Sequence, residues 1–406
     1  MEKRATTKII QIYDEIQPFV FGLIFIVFLL IVSSRNAAIA NITNLSQKVI
    51  KPGLIHHSFT KTINRGEVKI NLLEIDLKAG YTVKPALANQ SSIWGRASLK
   101  EIVARENALA GLNASFFTSS GMTINSLAID KEWLTGPVLN RASFSIGEKG
   151  EVFFARPLVT GRLQVYSAND NNSLISSYLS AASQTPSSYL LVSNINQPTS
   201  LAKQDSISFY NHWWQEKITC GGGIACALVD GNNKIRTRIF AYESKTPIQP
   251  GRTGYVLAAK DERSLAKLSV GSLVSLSWNS TPDWSRMKHV IGGGPYLISK
   301  GQIVLNEELE HFTNSSGVLK VAPRTAIGIT KPGNLIWLTA DGRQKDSVGL
   351  DLYELASLMK EIGIYEAMNL DGGGSTSMIL DGEIVNSPSG GSLRSVSTAL
   401  VLLSPS

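Results

Sequence analysis

The segment Asn369-Leu370-Asp371-Gly372-Gly373-Gly374-Ser375-Thr376 gathers a carboxylate, an amide, two hydroxyls and three consecutive glycines. Glycines in a row let a backbone turn sharply and approach a ligand closely. Successive N–H groups across Gly372–Ser375 are expected to form a nest for anionic oxygens, with Asn369 and Asp371 at its rim. No Gly-Lys-Ser/Thr ending follows, so a nucleotide P-loop is excluded. The Gly-x-Ser-x-Gly elbow is also missing, which ranks a serine hydrolase on Ser375 last.

Other segments offer complementary chemistry. Arg324 follows Pro323 and precedes Thr325-Ala326-Ile327-Gly328, an apolar strand in which an arginine needs an anionic partner. Its planar fork suits phosphate or carboxylate, and a structural Arg–Asp pair is the alternative. Asp341, at the end of Leu335–Thr339, reads as an acid/base, a metal ligand or a loop-fixing acceptor. Gly293 lies in a second glycine turn, Gly292–Pro295. Asn113, with Phe116 and Phe117, sets an amide beside aromatic surface, a combination suited to sugars. Arg394 opens the last strand. The five histidines lack zincin spacing. Cys220 and Cys226 are too few for a zinc site, leaving a short disulfide loop or two reduced thiols.

The elements that must position these groups read as an α+β fold: strand-rich mixed sheets, a few helices and a candidate internal pseudo-repeat. Ser98–Glu101 and Asp351–Glu354 are capping boxes that start helices, and Gly363 stops the second. Each helix leads into a short apolar strand that ends in asparagine, Asn113 or Asn369. The following hairpins, 126–137 and 377–388, align without gaps and share Ser, Asp, Glu and Pro. A repeat of this kind would bring the two Asn loops together across a crevice, the natural binding site.

Residues 1–40 are expected to be a signal peptide or N-terminal membrane anchor. Lys3, Arg4 and Lys8 precede an uninterrupted apolar run, Phe19–Val32, and Ala38-Ile39-Ala40 has the form of a cleavage site. Either outcome places the body outside the cytoplasm: periplasmic, extracellular or membrane-anchored. Residues 41–64 read as a polar linker, 65–406 as one domain, and 167–205, rich in Ser, Asn and Gln, as an insertion. A net charge of +7 favours anionic partners. No basic run with interleaved aromatics points to nucleic acid.

These motifs together resemble the phosphodiester glycosidase family. The matching residues are Asn113, Phe116 and Phe117; Gly292–Pro295; Pro323, Arg324, Thr325 and Gly328; Asp341, Gly342 and Arg343; Asn369–Thr376; and Arg394. Ala114-Ser115 stands where that family often has glycine. The resemblance implies hydrolysis of the glycosidic C–O bond of a sugar-1-phosphodiester, N-acetylglucosamine-like, in a glycan or exopolysaccharide. The expected catalytic residues are Asp371, Asp341 and Arg324. The expected substrate-binding residues are Asn113, Phe117, Gly293, Thr325, Asn369, Gly372, Gly373, Gly374, Ser375, Thr376 and Arg394. No cofactor is demanded. One rival reading is a non-catalytic binder of anionic glycans. Another is a phosphodiesterase holding Ca²⁺ or Mg²⁺ on Asp341, Asn369 and Asp371.

Overall fold

The computed structural model describes residues 42–166, 186–201, 204–313 and 317–405. The proposed signal or anchor and residues 167–185 and 202–203 of the Ser/Asn-rich stretch lie outside the described residues. Within 186–205, Ser188–Ile195 is a sheet strand.

The fold-class expectation requires correction. Strands dominate, and the described residues contain two α-helices, Leu99–Arg105 and Leu352–Glu361, of seven and ten residues. Short apolar runs between turn signals decide for strands here. The two helices start as their caps dictate. Glu101 N–H donates to Ser98 Oγ at 3.2 Å, and Glu101 Oε2 accepts from Ser98 N–H at 2.8 Å. Asp351 and Glu354 make the same reciprocal pair at 2.8 and 2.9 Å. Gly363, just past the second helix, has φ +83°, a left-handed stop.

An eight-stranded sheet runs in the order Ile42–Lys51, Leu54–Ile63, Gly66–Ile75, Leu335–Ala340, Arg324–Thr330, Ile364–Asn369, Tyr296–Ser299, Gln302–Ile303. Residues 42–64 are therefore folded where 41–64 was expected to be a linker. Ile42–Lys51 is exposed along almost its whole length, so its composition reads as polar. Leu54 and Phe59 of the next strand are buried. A five-stranded sheet carries Glu383–Ile384, Met378–Leu380, Ala110–Asn113, Thr398–Leu403 and Thr82–Leu87. A second five-stranded sheet, a seven-stranded sheet and a two-stranded sheet, Ile218–Cys220 with Thr246–Ile248, complete the described residues.

The Leu99–Arg105 helix lies directly on the Ala110–Asn113 strand. A Cβ at Gly111 would come within 2.2 Å of Val103 Cγ2, so this contact requires glycine. The Leu352–Glu361 helix packs Leu352, Leu355, Ala356 and Met359 into the core of the eight-stranded sheet.

The two asparagine-ended strands do meet. Asn113 Nδ2 donates to Asp371 O at 2.6 Å, and Asp371 N–H donates to Ala114 O at 2.8 Å. The two aligned hairpins share two-residue turns with positive φ, at Asp130-Lys131 and Asp381-Gly382. They do not occupy equivalent places. Leu127–Ile129 pairs with Met287–Gly292, whereas Met378–Leu380 pairs with Ala110–Asn113.

Candidate active site

The Ile364–Asn369 strand sits between Arg324–Thr330 and Tyr296–Ser299, and it delivers the glycine turn to the junction of the two sheets. Asn369 is clasped there by the other glycine turn. Its N–H donates to Pro295 O, its carbonyl accepts from Gly294 N–H, and its Nδ2 donates to Gly294 O at 2.8 Å. Leu370 N–H donates to Thr325 O. With Leu370 and Asp371 each held by an adjoining strand, the Asp371 side chain has a fixed origin.

The anion nest expected over Gly372–Ser375 is largely occupied by the protein itself. The N–H groups of Gly373, Ser375 and Thr376 donate to Pro323 O, Gly372 O and Gly373 O as Gly373–Ser375 closes a 3-10 turn. The turn instead lets side chains approach. A Cβ at Gly374 would lie 2.4 Å from an Arg394 Nη, and one at Gly373 3.3 Å from an Arg343 Nη. Two guanidiniums thus rest against the glycine backbone.

Around this turn lies a cleft of about 500 Å³, lined by Arg96, Phe116–Ser119, Gly317, Val318, Ala322, Arg324, Arg343, Asn369, Asp371–Ser375 and Arg394. Asp371 is its lining carboxylate. The side chain is half-buried, and desolvation raises its pKa to about 7 against the opposing pull of the Ser375 hydrogen bond, the Arg394 charge and the Gly372 N–H. Arg96, Arg343 and Arg394 are exposed to the cleft, and no ion pair among the described residues involves them. The site therefore combines one carboxyl poised near neutrality with several unneutralised cations.

Several expected site residues stand behind this wall. Asp341 does not line the cleft. Its oxygens accept from Asn386 Nδ2 at 3.2 Å and from Ser387 N–H at 3.0 and 3.1 Å, and burial raises its pKa to about 6. It is placed as a loop-fixing acceptor, and the expectation that it shares a crevice with Asp371 is corrected on that ground. Arg324 reaches the cleft, but its fork is turned onto backbone carbonyls: Nε to Leu350 O at 2.8 Å, and the two Nη to Val318 O at 2.8 Å and Lys320 O at 2.6 Å. Burial lowers its pKa to about 10, which leaves it charged at neutral pH. No carboxylate partner is needed, because three carbonyls satisfy the cation.

Asn113 is fully buried. Its Oδ1 accepts from Thr325 Oγ1 at 2.8 Å and Ser377 N–H at 2.9 Å. Asn113 and Thr325 therefore tie the sheets together beneath the site. Gly293, also behind the wall, packs against Asn369 O, and Thr376 is buried. Phe117, Asn369, Gly372–Ser375 and Arg394 do line the cleft. The proposed cation set is not assembled, since Asp341 faces Asn386 and Ser387. Among the described residues no cluster of three or more His, Cys, Asp or Glu gathers to hold a metal.

Sequence reasoning left Arg96 and Arg343 out of the site. Arg343 was within reach as the last residue of Asp341-Gly342-Arg343. Arg96 precedes the Ser98 capping box with no motif of its own. Cys220 and Cys226 form a disulfide that closes the Gly221–Gly223 turn. Among the described residues no helix is long and apolar enough to cross a membrane.

Comparison with known proteins gives this geometry a context. The family described as phosphodiester glycosidase matches residues 232–403. The N-acetylglucosamine-1-phosphodiester alpha-N-acetylglucosaminidase of Mus musculus is 35% identical over 108 residues, 25% of this chain and 21% of the mouse protein. Its Homo sapiens counterpart is 34% identical over the same length. An SPbeta prophage-derived protein of Bacillus subtilis is 39% identical over 83 residues, 20% of this chain and 13% of that protein. The chain thus spans about a fifth, or less, of the length of these relatives. Two solved structures share the fold. A hypothetical protein from Synechocystis has TM-score 0.74 at 23% identity, covering 89% of this chain and 64% of that one. A protein from Burkholderia pseudomallei has TM-score 0.61 at 19% identity, covering 83% and 74%. The segment 232–403, which carries the glycine turn, Asp371, Arg343 and Arg394, matches the phosphodiester glycosidase family.

Proposed function

We propose that this protein is an exported hydrolase that cleaves the glycosidic C–O bond of a sugar-1-phosphodiester, with an N-acetylglucosamine-like sugar. The observation that carries the reading is Asp371, a carboxyl with its pKa raised to about 7, at a cationic cleft of sugar-phosphate size. Water attacks the anomeric carbon and gives its proton to the Asp371 carboxylate. The C–O bond breaks with its electron pair leaving on the phosphate oxygen. The products are the free sugar and a phosphomonoester. A base with a pKa near the working pH is suited to that transfer.

The second carboxylate that most glycosidases use protonates a poor leaving group. Here the departing phosphomonoester has a conjugate acid of pKa about 6, so it needs charge stabilisation more than a proton. Arg343 and Arg394 supply that charge beside the glycine turn. Asn369 and Phe117 hold the sugar, through its hydroxyls or N-acetyl group and through its apolar face. Export is supported by the basic–apolar–small pattern of residues 1–40 and by the Cys220–Cys226 disulfide, a bond suited to oxidising compartments.

The test is hydrolysis of N-acetylglucosamine-1-phosphate esters in ¹⁸O-water. Label in the sugar is the expected result. Label in the phosphate, with activity lost on chelation, would install the metal phosphodiesterase in its place. Tight binding of these esters without turnover would favour the glycan binder.

A further inference from the structure

A phosphodiester carries one negative charge, whereas the cleft presents three exposed guanidiniums and one carboxylate. With Asp371 ionised and one phosphodiester bound, a positive charge is still unmatched. The surplus has a definite position. Arg343 and Arg394 rest against Gly373 and Gly374, next to Asp371. Arg96 belongs to the wall built by Phe116–Ser119. Gly95 N–H donates to Gly121 O at 3.1 Å, and the hairpin Phe117↔Thr123 closes around it. The antiparallel bridge Ala97↔Val396, with N–H···O distances of 3.0 and 2.8 Å, ties the backbone carrying Arg96 to the one carrying Arg394. Like charges gathered in one concavity repel and focus a field that anionic ligands neutralise. Arginine is the side chain that grips phosphate by a planar fork.

Building on the sugar-1-phosphodiester reading, we infer that the substrate presents a second phosphate beside the scissile one, and that Arg96 receives it. Two kinds of compound share that chemistry. In a sugar diphosphate ester the second phosphate is bonded directly to the first. In a glycosyl-phosphate polymer it lies one sugar away.

The experiment compares three compounds with the purified protein: an N-acetylglucosamine-1-phosphate methyl ester, the corresponding diphosphate ester, and a dimer whose aglycone is itself a sugar phosphate. The expected result is a kcat/KM at least ~10-fold higher for one of the two doubly charged compounds at low salt. Whichever of them gains identifies the source of the second phosphate. In Arg96→Gln, the ratio of that compound to the methyl ester falls toward one. Raising the ionic strength of the wild-type assay lowers the ratio likewise. Equal kcat/KM for all three compounds, or an advantage that Arg96→Gln retains, would overturn the inference. If none of the three is turned over, the hydrolase reading fails separately. Calorimetric affinities of N-acetylglucosamine-1-phosphate and its diphosphate then decide: a diphosphate preference lost in Arg96→Gln sustains the inference, and no preference removes it.

Discussion

Asp371 is held near neutrality because the wall that shapes the cleft also strips its carboxyl of water. Two consequences have opposite signs. For activity as a base the carboxylate must be ionised, so kcat/KM should fall about tenfold per pH unit below pH ~7 and level off above it. Asp371→Asn should lose at least ~10³ in kcat/KM. For stability, the folded pKa is raised above the ordinary 3.8, so the folded state binds the proton more readily than the unfolded one. Below about pH 4 the group costs nothing, between about 4 and 7 the cost grows, and above about 7 it is constant. Asp371→Asn should therefore melt higher than wild type above pH 7, with a ceiling of ~4 kcal/mol from three pKa units, and show little difference below pH 4. A melting series on both proteins checks this. Asp341, which titrates near pH 6, is present in both and cancels in their difference. A flat difference between pH 4 and 8 would refute the desolvated carboxyl.

The elements that hold the cleft assign Arg324 a task its sequence context did not disclose. It clips Val318 and Lys320 to Leu350, and so fixes the strap that gives the cleft its Gly317–Ala322 side. Arg324→Ala should cost ~3–5 kcal/mol, because three carbonyls lose a charged donor. Chemical denaturation measures this. Gly374→Ala should behave differently. The atoms nearest the added Cβ are the far end of Arg394, a flexible chain, so folding is kept while the guanidinium is displaced. A raised KM with melting unchanged is the expected outcome. The helix caps and the Asn369–Thr376 turn were legible because their signals are local: a side chain meets a backbone three residues away, or three glycines stand in a row. Arg96 and the commitment of Arg324 were not, since both depend on partners brought from distant segments.

At the scale of the whole molecule, the cleft is a seam between sheets that neither half of the chain can complete. Arg343, Asp371 and Arg394 come from the family-matched segment, residues 232–403, while Arg96 and Phe116–Ser119 come from the other side of the chain. The strand pairings show the same dependence. Leu335–Ala340 pairs with Gly66–Ile75, and Ala110–Asn113 is inserted between Met378–Leu380 and Thr398–Leu403. Such long-range register has no local signature, which is why the number of sheets and the folded state of residues 42–63 escaped a reading based on pattern. The pairings also make a prediction. A fragment of residues 232–406 loses the strand beside Leu335–Ala340 and the centre of the Met378–Leu403 sheet. It should show no cooperative unfolding and no hydrolysis, although it contains Asp371 and the glycine turn. Deleting only the exposed Ile42–Lys51 should change the melting temperature little, whereas deletion through Ile63 also removes buried Leu54 and Phe59 and should lower it clearly. An active, cooperatively folding 232–406 fragment would mean that the family-matched segment is self-sufficient and the seam dispensable.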